Sequence, residues 1–167
     1  ESILRITLTR GVGERGYGIS GAEEPTLLIT QHPLPTAPTK PLSLVTTAAR
    51  IAVDDPLARV KSANKLGSVL AKGEATAHGA DDGLILNSDG NITETSSANI
   101  FWVEDGALRT PPVSDGVLPG ITRRLVIGLA PALGQTVREE SVAPGRLQQA
   151  KAVFVTSAAT GVVAVGQ

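Results

Sequence analysis

The 167-residue chain carries 41% apolar and 19% charged residues at a formal net charge of -1, which excludes a disordered chain and, with no apolar run near ~18 residues, a membrane-spanning helix. Near-neutral charge with one Trp, one Tyr and two Phe gives no footprint for nucleic acid. The absence of cysteine rules out disulfides and thiolate metal sites and fits a reducing cytoplasm. The chain opens Glu1-Ser2-Ile3 and contains no methionine, so a fragment of a longer polypeptide is expected.

Residues 3–9 alternate, with Leu4, Ile6 and Leu8 apolar and Arg5, Thr7 and Thr9 polar, the period of a half-buried strand. Gly11, Gly13, Gly16 and Gly18 make a loop, and residues 26–30 read as a second strand pairing with the first. Four prolines between Pro33 and Pro41 forbid helix and favour extended chain. We therefore expect segment 1–31, a linker over 32–41 and a larger domain over 42–167.

In that domain residues 42–47 read as a strand. Ser62 is placed as the N-cap of a helix over 62–78, with Leu66, Val69, Leu70 and Ala77 on one face and Gly79 as its stop. Residues 83–87, 91–94, 99–104 and 107–110 read as an antiparallel meander, turned at Ser88-Asp89-Gly90 and Asp105-Gly106. A helix over 121–133 should kink or end early at Pro131. A strand over 136–140, a short helix over 144–149 and strands over 152–156 and 162–165 complete an α+β chain.

Two loops stand out. Gly116-Val117-Leu118-Pro119-Gly120-Ile121-Thr122-Arg123 runs straight into a helix, where exposed N–H groups could hold an anion. Thr156-Ser157-Ala158-Ala159-Thr160-Gly161 is a hydroxyl-rich turn between apolar strands. Each alone is equally ordinary helix-start or hairpin chemistry. His32 reads as a linker residue and His78 as a partner of a helix C-terminus, and neither has metal-ligand spacing. No P-loop, Rossmann fingerprint or Gly-x-Ser-x-Gly elbow is present.

Three motifs in register add specificity: Val60-Lys61-Ser62-Ala63-Asn64-Lys65-Leu66, then Thr93-Glu94-Thr95-Ser96-Ser97-Ala98-Asn99-Ile100-Phe101-Trp102, then Leu118-Pro119-Gly120-Ile121-Thr122-Arg123. Their order and spacing resemble the class IV aminotransferase family, the fold-type IV pyridoxal 5'-phosphate (PLP) enzymes. The resemblance implies an α+β large domain of mixed strands and packed helices, preceded here by the last strands of a small domain. The rest of that small domain and a C-terminal helix would then be missing.

The resemblance also implies roles. Lys61 would form the aldimine with PLP and move protons. Glu94 would face the pyridine nitrogen and keep it protonated. Leu118 would pack on the ring and Ser97 lie near it, while Ile121, Thr122, Ser157 and Ala158 would hold the phosphate, Ala158 through its backbone alone. Arg15 and Tyr17 match a loop that binds a substrate carboxylate, a task suited to a forked guanidinium. No metal is implied.

Within the family the first loop and the Ala-Asn-Ile-Phe-Trp run resemble the aminodeoxychorismate lyases. Such an enzyme releases pyruvate from 4-amino-4-deoxychorismate and leaves 4-aminobenzoate for folate synthesis. A branched-chain or D-amino-acid aminotransferase is the alternative, and a truncated PLP-binding or assembly module a third. A small-molecule substrate, a cytoplasmic homodimer and no membrane or nucleic-acid partner are expected.

Overall fold

Strand β6 (Asn99–Glu104) of the computed structural model, which describes residues 1–166, is buried along nearly its whole length. Ile100 faces one apolar cluster, with Leu84, Leu86, Ile92, Val155 and Val163. Phe101 faces another, with Leu108 and Ala130, and stacks on Phe154 at 5.1 Å between ring centroids. Both faces of the strand are covered, so its sequence is a continuous apolar run rather than an alternation. Each fully buried side chain there contributes roughly 1.5–3 kcal/mol.

The chain divides into two compact units at Thr36 and Ala37. The first is an antiparallel ribbon of β1 (Ser2–Thr9) and β2 (Thr26–Pro33), registered from Ser2 opposite Pro33 to Thr9 opposite Thr26. His32 lies in β2, where its Nε2 shares a 2.8 Å hydrogen bond with Thr30 Oγ1. The half-buried pattern expected of β1 is not found: Leu4, Ile6 and Leu8 are each more than 60% exposed. A two-stranded ribbon has no second layer of its own to cover either face.

The second unit holds β3 (Leu44–Ile51), α1 (Leu66–Ala77), β4 (Asp82–Asn87), β5 (Ile92–Thr95), β6, β7 (Ala107–Thr110), α2 (Ile121–Leu129), β8 (Thr136–Glu139), β9 (Ala152–Ser157) and β10 (Gly161–Val165). They form one sheet in the order β10-β9-β6-β5-β4-β3, with β7 joined to β6 and β8 to β7. The β3–β4 and β7–β8 pairs are parallel and the others antiparallel. Leu42 bridges to Val165, so the two ends of the strand path meet.

The meander from β4 to β7 matches the sequence reading within a residue or two at each end. The early stop of α2 does as well: it ends at Leu129 and a 3-10 turn runs over Ala130–Leu133 around Pro131. Helix α1 differs. It starts at Leu66 with Lys65 as a cap that makes no side-chain bond, and Ser62 lies four residues earlier, in a tight turn where its N–H donates to Val60 O at 2.7 Å. Its buried face is Ala71 and Ala75, whereas Leu66, Val69 and Leu70 are each over 60% exposed. The small face is needed because α1 presses on β4: a Cβ at Gly83 would lie 2.6 Å from Ala71 O. Among the described residues no helix is long and apolar enough to cross a membrane.

Candidate functional site

A cavity of about 480 Å³ opens in the second unit where four segments converge: the turns before α1, the β5–β6 hairpin, the start of α2 and the β9–β10 turn. This is within the usual range for small-ligand and cofactor sites. Lys61, Glu94, Ser97, Leu118, Ile121, Thr122, Ser157 and Ala158 all line it. These eight residues come from positions spread over almost a hundred residues of chain, and the fold brings them onto one space. Arg15 and Tyr17 belong to the first unit, in the loop between β1 and β2, where both are exposed.

Lys61 is delivered by consecutive turns. Asp55 N–H donates to Ala52 O, Ala58 N–H to Asp55 O and Val60 N–H to Leu57 O, each at 2.9–3.1 Å. These bonds fix the backbone ahead of the lysine while leaving its amine exposed.

Glu94 sits on β5 directly opposite Asn99 on β6. Its Oε2 accepts the Leu118 N–H at 3.1 Å and a long 3.4 Å contact from Asn99 Nδ2, which also donates to Leu118 O at 2.9 Å. Asn99 thus ties the acid to the Leu118 loop. Burial pushes the Glu94 carboxyl up from its ordinary value, offset in part by the Leu118 hydrogen bond and the charges of Lys65 and Lys61. A side chain at Gly120 would displace this clamp, since a Cβ there would lie 2.2 Å from Asn99 Oδ1.

Helix α2 begins at Ile121 with Gly120 as cap and no side chain answering its first N–H groups, which stay open at the positive end of the helix. Across the β9–β10 turn, Ser157 Oγ shares a hydrogen bond with Thr160 Oγ1 at 2.8 Å and accepts the Thr160 N–H at 3.1 Å. Thr156 lines the cavity, is 2% exposed, and its Oγ1 has no hydrogen-bond partner. An unanswered buried hydroxyl beside open helix N–H groups is what a polar ligand would complete.

Several lining residues escaped the sequence reading: Arg59, Lys65, Ser68 and the clamp residue Asn99. Asn99 and Lys65 each lie inside one of the three motifs, and Arg59 stands two residues before Lys61.

The model of the Amino-transferase class IV family matches residues 1–167, and the chain belongs to that family. The branched-chain-amino-acid aminotransferase of Escherichia coli strain K12 is 40% identical over 110 residues, covering 66% of this chain and 36% of the relative. The aminodeoxychorismate lyase of Vibrio harveyi is 30% identical over 166 residues, covering 97% and 61%. The chain therefore spans between about a third and three fifths of the length of these curated relatives.

Among solved structures, the branched-chain aminotransferase of Thermoproteus uzoniensis with norvaline superposes with a TM-score of 0.92 at 28% identity, over 98% of this chain and 56% of that one. The Thermobaculum terrenum branched-chain aminotransferase, in its PLP form, superposes at 0.79 with 28% identity, over 98% and 53%. The family's cofactor is PLP. The amine, the buried acid, the open α2 N-terminus and the unpartnered Thr156 hydroxyl of this cavity fit that group.

Proposed function

We propose that the chain is the PLP-binding part of a class IV enzyme acting on an amino-bearing substrate, with Lys61 as its catalytic amine. The observation that carries this is the convergence of Lys61, Glu94 and the α2 N-terminus on one cavity. When bound there, PLP supplies a conjugated ring that withdraws electrons from the amino-bearing carbon of the substrate. Lys61 Nζ is the group that attaches the cofactor and carries the proton to and from that carbon. Glu94 would hold a proton on the ring nitrogen: its Oε2 accepts the Leu118 N–H and a long Asn99 contact, which leaves the carboxylate room for such an N–H.

The N–H groups of Ile121 and Thr122, the Ser157 hydroxyl and the Ala158 backbone would hold the phosphate. Leu118 and Ser97, which line the same cavity, would pack against the ring. Arg15 and Tyr17 are assigned to the substrate carboxylate, residues 1–31 to the end of a small domain joined by the linker 32–41 to the large domain 42–167, and the assembly to a homodimer.

Amino transfer between a branched-chain amino acid and 2-oxoglutarate is the reading that the 40% identity to the E. coli aminotransferase favours. Elimination of pyruvate from 4-amino-4-deoxychorismate, placed first on the sequence motifs, is the second reading. It is supported by the match of the Vibrio lyase along 97% of the chain.

Two experiments test this. Borohydride reduction of the PLP-loaded protein should fix one cofactor per chain on the peptide bearing Lys61, and Lys61→Ala should fix none. A cofactor trapped elsewhere, or none on the unmodified chain, removes the proposal. Supplying each substrate pair separately then divides the two activities: pyruvate release without amino transfer leaves only the lyase, and the converse leaves only the transaminase.

A further inference from the structure

The charged groups lining the cavity are unbalanced. Arg59, Lys61 and Lys65 face it, and Glu94 is the one carboxylate among them. Among the described residues none of the three cations has an acidic partner within 4.0 Å, so their charge on the cavity is not cancelled by an ion pair. Lys65 is also misplaced by local rules. It caps the N-terminal end of α1, where the helix dipole opposes a cation, and the first turn holds no acid to offset it. The lysine is nevertheless half-buried there, its carbonyl held by the Val69 N–H at 2.9 Å. Breaks of a local rule are expected at functional or strained positions, and Lys65 lines the cavity.

Under the proposed function, on which this inference rests, the other groups already have tasks. The α2 terminus and the β9–β10 turn take the phosphate, Lys61 attaches the cofactor and Glu94 faces the ring nitrogen. Arg59 and Lys65 are left over. They bracket Lys61 in sequence, two residues before and four after, on the side of the cavity formed by the turns and the start of α1. A guanidinium and an ammonium sharing a half-enclosed space with only one, already hydrogen-bonded, carboxylate make a strong receptor for a second anion.

We propose that Arg59 and Lys65 form a second anion subsite that receives a substrate carboxylate, so that the cavity selects dicarboxylate over monocarboxylate ligands. Arg59 can supply a planar two-pronged contact and Lys65 a point charge.

The test uses two unreactive probes of equal chain length, glutarate and valerate, titrated calorimetrically into the purified chain with and without PLP. Glutarate should bind at least about tenfold more tightly than valerate, the scale of one charge-assisted contact. Arg59→Gln and Lys65→Gln should each lose most of that margin, and Arg59→Lys and Lys65→Arg should keep part of it. Circular dichroism should show all four variants folded, since Arg59 lies exposed on a turn and Lys65 ahead of the first turn of α1. Equal binding of the two probes by the wild type, or glutarate affinity within about twofold of wild type in both Gln variants, overturns the subsite. A chain that takes up no PLP yet still discriminates the probes loses the coenzyme reading and keeps the subsite. One that takes up PLP and does not discriminate loses only the subsite.

Discussion

Glu94 and Glu104 lie on neighbouring strands of one sheet, and their carboxyls shift in opposite directions. Burial is the leading influence on both and would raise both. At Glu104 it is outweighed: Arg146 Nε donates at 2.6 Å, Trp102 Nε1 at 3.3 Å, and Arg109 Nε stands 3.5 Å away. Those donors and charges bring Glu104 below the ordinary carboxylate range. Glu94 has one backbone N–H and a long amide contact, and burial prevails. The two acids differ in how many donors and cations are aimed at them, and that difference, rather than depth, sets the direction of each shift.

Removing the structural side of this contrast should have the largest effect on stability. Arg109→Met takes away the guanidinium that also pairs with Glu140 and Asp105. Because it leaves Glu104 and Glu140 short of a cation, the thermal midpoint should fall by on the order of 10 °C. A fall of a degree or less would show that Arg146 suffices alone.

Gly120→Ala should come next. Its methyl would displace the Asn99 amide from Leu118 and Glu94, costing about 1–3 kcal/mol and weakening PLP uptake, both readable from melting curves with and without cofactor. Unchanged melting and uptake would mean that the Asn99 clamp is not what fixes the acid.

Glu94→Gln should have the smallest effect on stability and the opposite sign. The folded state holds the Glu94 proton more tightly than the unfolded chain does, so the parent loses stability as pH rises from about 4.5 through the raised folded value. The variant, free of that loss, should be the more stable of the two cofactor-free proteins at neutral pH and should match the parent in acid. Glu104→Gln should do the reverse. Its stabilisation is present above about 4.5 and lost as pH falls through the lowered folded value, so that variant should melt earlier than the parent at neutral pH. Identical pH profiles for the two variants would abolish the distinction between the acids.

Much of this site could be read before any coordinates. Lys61, Glu94 and Leu118-Pro119-Gly120-Ile121-Thr122 sit in local motifs whose spacing survives in sequence, and the meander announces itself through Asp105 and Gly106, which take left-handed backbone angles at the turn. What was not legible depends on packing between distant segments. Nothing local shows that α1 turns its alanines rather than its leucines to the sheet, because that choice follows from how closely the helix must approach Gly83. Nor could the tethering of Glu94 by Asn99 be read, since it requires the Leu118 loop to fold back across β5 and β6. The ion pairs of Glu104 join residues up to 42 positions apart and have no signature along the chain.

The placement of Glu94 and Asn99 as direct partners across a hairpin of four intervening residues makes that hairpin a unit of inheritance and of engineering. Side chains alternate faces along a strand, so inserting or deleting one residue among Thr95, Ser96, Ser97 and Ala98 would turn either the acid or its amide away from the other. Loop exchanges that conserve those four positions can reshape the mouth of the cavity, whereas exchanges that change their number should extinguish cofactor chemistry even if every lining residue is retained.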